Sequence, residues 1–263
     1  MRTKITILFS LLLLIMACKE KVDSPPDVFL TFYPRKCNFG WLYYIKRVRV
    51  EPNGQIGYIL ENIENDECKV EDLLFTIYTS NIDTLPVSNE GESWALSVPY
   101  RFHQFLEEEI QQLDKHNLSL EKQLEDDYVR SLTPTSGSYD YTDITPWEYR
   151  TNGIEELTIT CNKTIFGQAP GTALNSYFHI SSLSPQQIVS SQTVELLFGC
   201  SDNLNKMSIA EWLEMKPMAQ PSTRLMMNSV PSELPNDFVF TVNLKTTAGK
   251  EIEFSGREIR LLP

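Results

Sequence analysis

Apolar and polar positions alternate along most of this chain with the short period of β-strands. Residues 27–34 (DVFLTFYP), 41–52 (WLYYIKRVRVEP), 54–63 (GQIGYILENI) and 72–80 (DLLFTIYTS) are runs rich in aromatic and β-branched side chains. Turn formers bound them: Pro34, Pro52-Asn53-Gly54 and Asn65-Asp66. In the second run Val48 and Val50 share one face, as a half-buried strand requires. The period then lengthens. Phe102, Leu106, Ile110, Leu113, Leu120, Leu124 and Tyr128 recur at helical steps, with Glu107, Glu108, Glu109, Gln111 and Gln112 between them. Asn117-Leu118-Ser119 interrupts this stripe, and Ser119 is placed to cap a helix beginning at Leu120. Residues 101–131 therefore predict one long helix or a helical hairpin, with the stripe packed on the rest of the fold.

Residues 133–149 (TPTSGSYDYTDITPWEY) have the composition of a loop, broken by Pro134, Gly137 and Pro146. Strand signals resume at 153–162, where Ile154, Leu157, Ile159 and Cys161 form the candidate buried set, and at 176–181 and 192–201. Ser208-Ile209-Ala210-Glu211 matches a capping box and predicts a short helix. Near the end Phe238, Phe240, Val242 and Leu244 alternate with polar residues, and Ala248-Gly249-Lys250 turns the chain toward Ile252 and Phe254, the strongest hairpin signal present. The expected fold is mainly β, an antiparallel sandwich in two β parts. One spans 28–132 and carries the helical insertion; the other spans 153–263; a linker over 133–152 separates them.

The first residues follow another logic. Arg2 and Lys4 precede an almost unbroken apolar run, residues 5–16, shorter than the ~20 residues that span a bilayer. Ile15-Met16-Ala17-Cys18 follows and resembles the lipobox of bacterial lipoproteins. The resemblance implies removal of residues 1–17 and acylation of the Cys18 sulfur, and multiple acyl chains hold a protein far better than one. The alternative is an ordinary signal peptide with an incidental cysteine. Residues 18–27 then read as a charged, proline-containing tether. An outer-membrane lipoprotein of the bacterial cell envelope is expected, either surface-exposed, as the charged residues after Cys18 suggest, or facing the periplasm.

Charge narrows the partners. The formal net charge is −12, and loss of Arg2 and Lys4 with residues 1–17 makes it −14. Such a chain repels nucleic acid. Lipidation of Cys18 leaves Cys37, Cys68, Cys161 and Cys200, enough for two disulfides in any of three connectivities. Local pairing, Cys37–Cys68 and Cys161–Cys200, is simplest if the two parts fold separately; four buried free thiols are the alternative. Zinc is not expected, since no C-x-x-C spacing occurs and His103, His116 and His179 are dispersed.

No signature of catalysis or cofactor binding is present. Residues 167–175 (GQAPGTALN) lack the lysine of a phosphate loop, and neither G-x-S-x-G nor H-E-x-x-H occurs. The acidic runs Glu107-Glu108-Glu109 and Glu125-Asp126-Asp127 read as solvated faces. Asp66-Glu67 and Asp140/Asp143 lack the spacing of a calcium loop. Aromatic residues are the better candidates. Tyr139, Tyr141 and Trp147, in and beside the 133–149 loop, suit stacking on a sugar or anchoring a protein contact, with core or loop-anchoring roles as the other reading, while Trp41 reads as core. Asp83-Thr84-Leu85 resembles the acceptor for O-glycosylation of exported Bacteroidota proteins, making Thr84 a candidate modification site.

Residues 153–180 (GIEELTITCNKTIFGQAPGTALNSYFHI) resemble an uncharacterised Bacteroidota lipoprotein family, through Gly171, Leu174, Asn175 and Phe178 in a G-x-x-L-N-x-x-F segment and through the terminal hairpin. The resemblance implies the envelope location and no catalytic residues. A non-catalytic module binding a glycan or a protein is the leading functional expectation. An envelope hydrolase with a dispersed active site and a purely structural envelope component are the alternatives.

Overall fold

The computed structural model describes residues 29–51, 56–83, 113–131, 144–199 and 206–263. These form β1 (Phe29–Arg35), β2 (Phe39–Val50), β3 (Gly57–Asn62), β4 (Glu67–Lys69), β5 (Leu73–Ser80), α1 (Leu118–Ser131), β6 (Ile144–Arg150), β7 (Ile154–Cys161), β8 (Phe178–Ser184), β9 (Ile188–Val189), β10 (Leu196–Phe198), β11 (Met207–Ser208), α2 (Ile209–Glu214), β12 (Ser222–Met227), β13 (Asn236–Phe238), β14 (Phe240–Thr246), β15 (Glu251–Ser255) and β16 (Ile259–Leu262). The fold is mainly β and sandwich-like, as the alternation predicts.

One layer is a six-stranded antiparallel sheet in the order β11-β8-β12-β5-β2-β3. Facing it are the three-stranded sheets β15-β14-β7 and β13-β16-β4. The main core lies between them. At its centre the Phe75 ring meets Tyr44, Phe178 and Phe240 edge-on, at centroid distances of 5.3, 5.0 and 4.9 Å. The first three of these rings come from the six-stranded sheet and Phe240 from β14, so this cluster joins the layers. β14 alternates as its sequence dictates, with Phe240, Val242, Leu244 and Thr246 inward. Gly40 allows the layers to approach: a Cβ there would run into the Phe254 ring.

The terminal hairpin forms as expected, pairing Val242 with Phe254 and Leu244 with Ile252 around Gly249 at φ +78°. The capping box also forms. Ser208 Oγ accepts from Glu211 N at 3.1 Å, and Glu211 Oε2 accepts from Ser208 N at 2.8 Å. The G-x-x-L-N-x-x-F segment serves the sheet. Gly171 takes φ +80°, Leu174 N donates to Ile159 O at 2.8 Å, and Phe178 enters the core. Asn175 imitates a neighbouring strand, accepting from Ile159 N at 3.0 Å and donating to Leu157 O at 2.6 Å. The free edge of β7 is thereby satisfied by a side-chain amide.

Three expectations need correction. Residues 113–117 are not helical, so one continuous helix over 101–131 is ruled out; residues 101–112 lie outside the described residues. Asn117, not Ser119, caps α1, its Oδ1 accepting from Leu120 N at 3.0 Å. Strands on either side of the span 133–152 pair with one another. Residues 144–150 of that span form β6, paired in parallel with β1. The six-stranded sheet joins the block β3-β2-β5 to the block β12-β8-β11 through the β5–β12 pairing, and β16 pairs with β4. Alternation fixes which residues are strands and is silent on which distant strand each one joins.

The third correction concerns sulfur. Cys37, Cys68 and Cys161 are free and buried, and Cys200 lies outside the described residues. Cys37 adjoins the Ser80 end of β5, whereas Cys68 precedes its Leu73 end. At ~3.3 Å per residue those ends are roughly 23 Å apart, far beyond the ~7 Å between Cα atoms that a disulfide tolerates. Burial pushes the thiols of Cys37 and Cys68 up to about 11. At pH 8 a thiol of that pKa is ~0.1% thiolate, against roughly a quarter for a free cysteine. Alkylation of both in native protein should therefore be more than about 100-fold slower than in urea, without any reductant. Peptide mapping checks this, and failure of either to alkylate after unfolding would reinstate a disulfide.

Candidate functional site

The aromatic residues nominated by sequence are not brought to a surface site where the structure describes them. Trp147 and Tyr149 lie in β6 and are 7% and 6% exposed. Tyr139, Tyr141, Thr84 and Cys18 lie outside the described residues. Trp147 is a packing residue here, because β6 is sandwiched rather than looped out.

What buries β6 is α1. Leu120 and Leu124 pack with Tyr149, Val189 and Met218. The Tyr149 hydroxyl donates to Glu121 Oε1 at 2.8 Å and accepts from Asn117 N at 3.1 Å, while His116 Nδ1 lies 2.7 Å from the same carboxylate oxygen. Burial, reinforced by the Glu121 carboxylate, raises the Tyr149 pKa and keeps the phenol neutral. Between helix and strand is a cavity of about 20 Å³ lined in part by Leu120, Trp147, Tyr149, Arg150, Gln187 and Gln220. That is room for about one water, not for a sugar or nucleotide.

Beside it Arg35, Glu148 and Arg150 are buried together. Glu148 Oε1 is 3.7 Å from Arg35 Nε and accepts directly from Arg150 Nη1. Arg150 also donates from Nε to Thr79 Oγ1 at 2.9 Å and from Nη2 to Thr79 O. Thr79 Oγ1 in turn donates to Gln220 O at 2.7 Å. This network ties the β1–β6 pair to β5 and leaves little space for a ligand. Among the described residues no three His, Cys, Asp or Glu side chains gather as metal ligands.

The exposed candidate is elsewhere. β5 pairs with β2 only from Phe39 to Lys46, whereas β3 pairs with β2 from Ile45 to Val50. The distal half of β2 and its partner β3 therefore continue past β5 as a two-stranded ribbon. Register places Arg47, Arg49, Tyr58 and Leu60 on one face and Lys46, Val48, Val50, Ile59 and Glu61 on the other. Six large hydrophobic side chains are exposed among the described residues, and three are in or beside β3: Ile56 at 60%, Tyr58 at 53% and Ile59 at 46%. The Arg47 guanidinium lies 4.3 Å over the Tyr58 ring and donates to Glu71 O at 3.3 Å, while Arg49 pairs with Glu51 at 2.5 Å. The ribbon is thus apolar at its edge and basic on one face.

Sequence reasoning passed over this feature because GYILEN reads as an ordinary half-buried strand. The available signal was length: a twelve-residue β2 beside an eight-residue β5 must overhang. No protein-family model, no curated protein and no solved structure matches the chain. The ribbon's role rests on its own chemistry.

Proposed function

We propose that this protein is a lipid-anchored, non-catalytic module of the bacterial cell envelope that binds a protein partner through the β2–β3 ribbon. The observation that carries the reading is the grouping of Ile56, Tyr58 and Ile59 in and beside a strand that pairs on one flank among the described residues. A two-stranded ribbon gains little stability by itself, and exposed aromatic and aliphatic side chains on it are favourable only once covered. A protein surface suits this edge better than a glycan, because aliphatic side chains offer no stacking platform for a sugar ring.

The anchor belongs to the same proposal. The apolar run ending at Ala17-Cys18 supports lipidation, and no helix among the described residues is long and apolar enough to cross a membrane. Cys18→Ser should leave the chain uncleaved after Ala17 and move it from the membrane fraction to the soluble fraction when residues 1–17 are removed genetically. Intact mass and partition measure this, and a cleaved, membrane-bound variant would refute lipidation.

For binding, pull-down from envelope extract should be run beside a glycan array, with the wild type and Tyr58→Ser/Ile59→Ser. Loss of an interface anchor costs ~2 kcal/mol or more, so captured protein should fall at least tenfold with the melting temperature unchanged. Capture unaffected by the substitutions, or a glycan bound equally by both chains, counts against the reading.

A further inference from the structure

Resting on the reading of the ribbon as the contact surface, we propose that the partner supplies an extended, acidic segment that adds to β3 as a further strand. Among the described residues β3 ends the six-stranded sheet, with β2 on its paired flank. Natural edges are normally blunted by proline, by inward-pointing charge or by a bulge. β3 has none of these: its six residues contain no proline and one charge, Glu61, and its register with β2 runs without a shift from Gly57 to Asn62. Its backbone is thus a regular template for pairing.

Side-chain placement fits the same mode. Tyr58 and Ile59 point to opposite faces, and both are about half exposed. A partner gripping one face would cover one of them. A strand laid alongside β3 sends alternate side chains to both faces and covers both.

The sign of the charge identifies the partner's composition. The whole chain is strongly acidic, at −12, but β2 beside this edge carries Lys46, Arg47 and Arg49. Arg47 and Arg49 lie on the Tyr58 face, whereas Lys46 on the other face is opposite Glu61, so it is the Tyr58 face of an added strand that would have cations near it. An added strand lies ~10 Å from β2, two strand spacings, within combined reach of an arginine and a glutamate. A basic segment would meet these cations, whereas an acidic one would be drawn to the ribbon and repelled elsewhere on the chain, which restricts docking to this edge.

The test uses the full chain in detergent and a displayed library of random twelve-residue peptides. Panning runs in parallel on the wild type, on Tyr58→Asp/Ile59→Asp and on Tyr58→Ser/Ile59→Ser, each checked for folding by circular dichroism. The proposal expects enriched peptides that are acidic with alternating apolar residues, and binding at least tenfold weaker when their Asp and Glu become Asn and Gln. It also expects slowed hydrogen exchange at every second amide of β3, those facing away from β2. Enrichment of neutral or basic peptides, no enrichment, or unchanged exchange in β3 overturns strand addition by an acidic segment. If both variants select the same peptides as the wild type, the ribbon reading itself fails. If the full chain without peptide is a dimer with the same amides protected, a second copy is the occupant and the acidic segment is excluded.

Discussion

Glu148→Ala should destabilise the protein by about 3–5 kcal/mol, because it removes an acid that lies against two buried guanidinium groups. Arg35 and Arg150 are 1% and 2% exposed, so neither can turn to water for compensation without moving β1 or β6. Arg150 is further fixed by the Thr79 carbonyl and hydroxyl. At ~2–4 °C per kcal/mol for a chain of this size, the melting temperature should fall by roughly 10 °C. Glu148→Gln keeps an acceptor in place while losing the charge, so its effect should be smaller. Thermal unfolding of both variants checks the order. An alanine variant as stable as the wild type would mean that the network is not holding β1 and β6 onto β5.

Trp147→Ala should be comparably damaging, at about 3–5 kcal/mol, since it deletes a large ring from a strand covered by α1 and leaves a cavity. The sequence left two readings of this residue open: a core or loop-anchoring ring, or an exposed ring whose loss weakens binding and spares the fold. The two are separated by measuring both quantities on one variant. The structure predicts a large drop in melting temperature and unchanged affinity in the folded fraction. A stable variant with lost binding would return residue 147 to the site.

How far the sequence revealed the fold differs from element to element, for physical reasons. Phe238, Phe240, Val242 and Leu244 declared β14 and its neighbourhood because one face is wet and the other dry, which writes a clean period of two. The capping box at Ser208 was readable because its hydrogen bonds span three residues. β6 was hidden. Its sequence, ITPWEYR, contains a proline and three charged or polar positions, and its buried face binds Glu148 and Arg150 in ion pairs that no hydropathy pattern anticipates. The pairing of β4 with β16 joins residues nearly two hundred apart, and nothing local encodes it. The candidate site was less legible than the fold. Trp147 was chosen for being aromatic within a loop-like composition, but exposure depends on what α1 covers. Tyr58 and Ile59 lie on a strand that composition alone makes half-buried, and only the overhang of β2 past β5 leaves them uncovered.

The binding role of the ribbon can be tested most directly by photocrosslinking in living cells. A photoreactive phenylalanine analogue at position 58 of the full, membrane-anchored chain reports what touches that edge. A control at position 160 places the same group on β7, among the partly exposed positions of the opposite layer. The account predicts a discrete protein adduct from position 58, absent from position 160 and lost when Ile59→Asp is added. No protein adduct from position 58, or the same adducts from both positions, would contradict it.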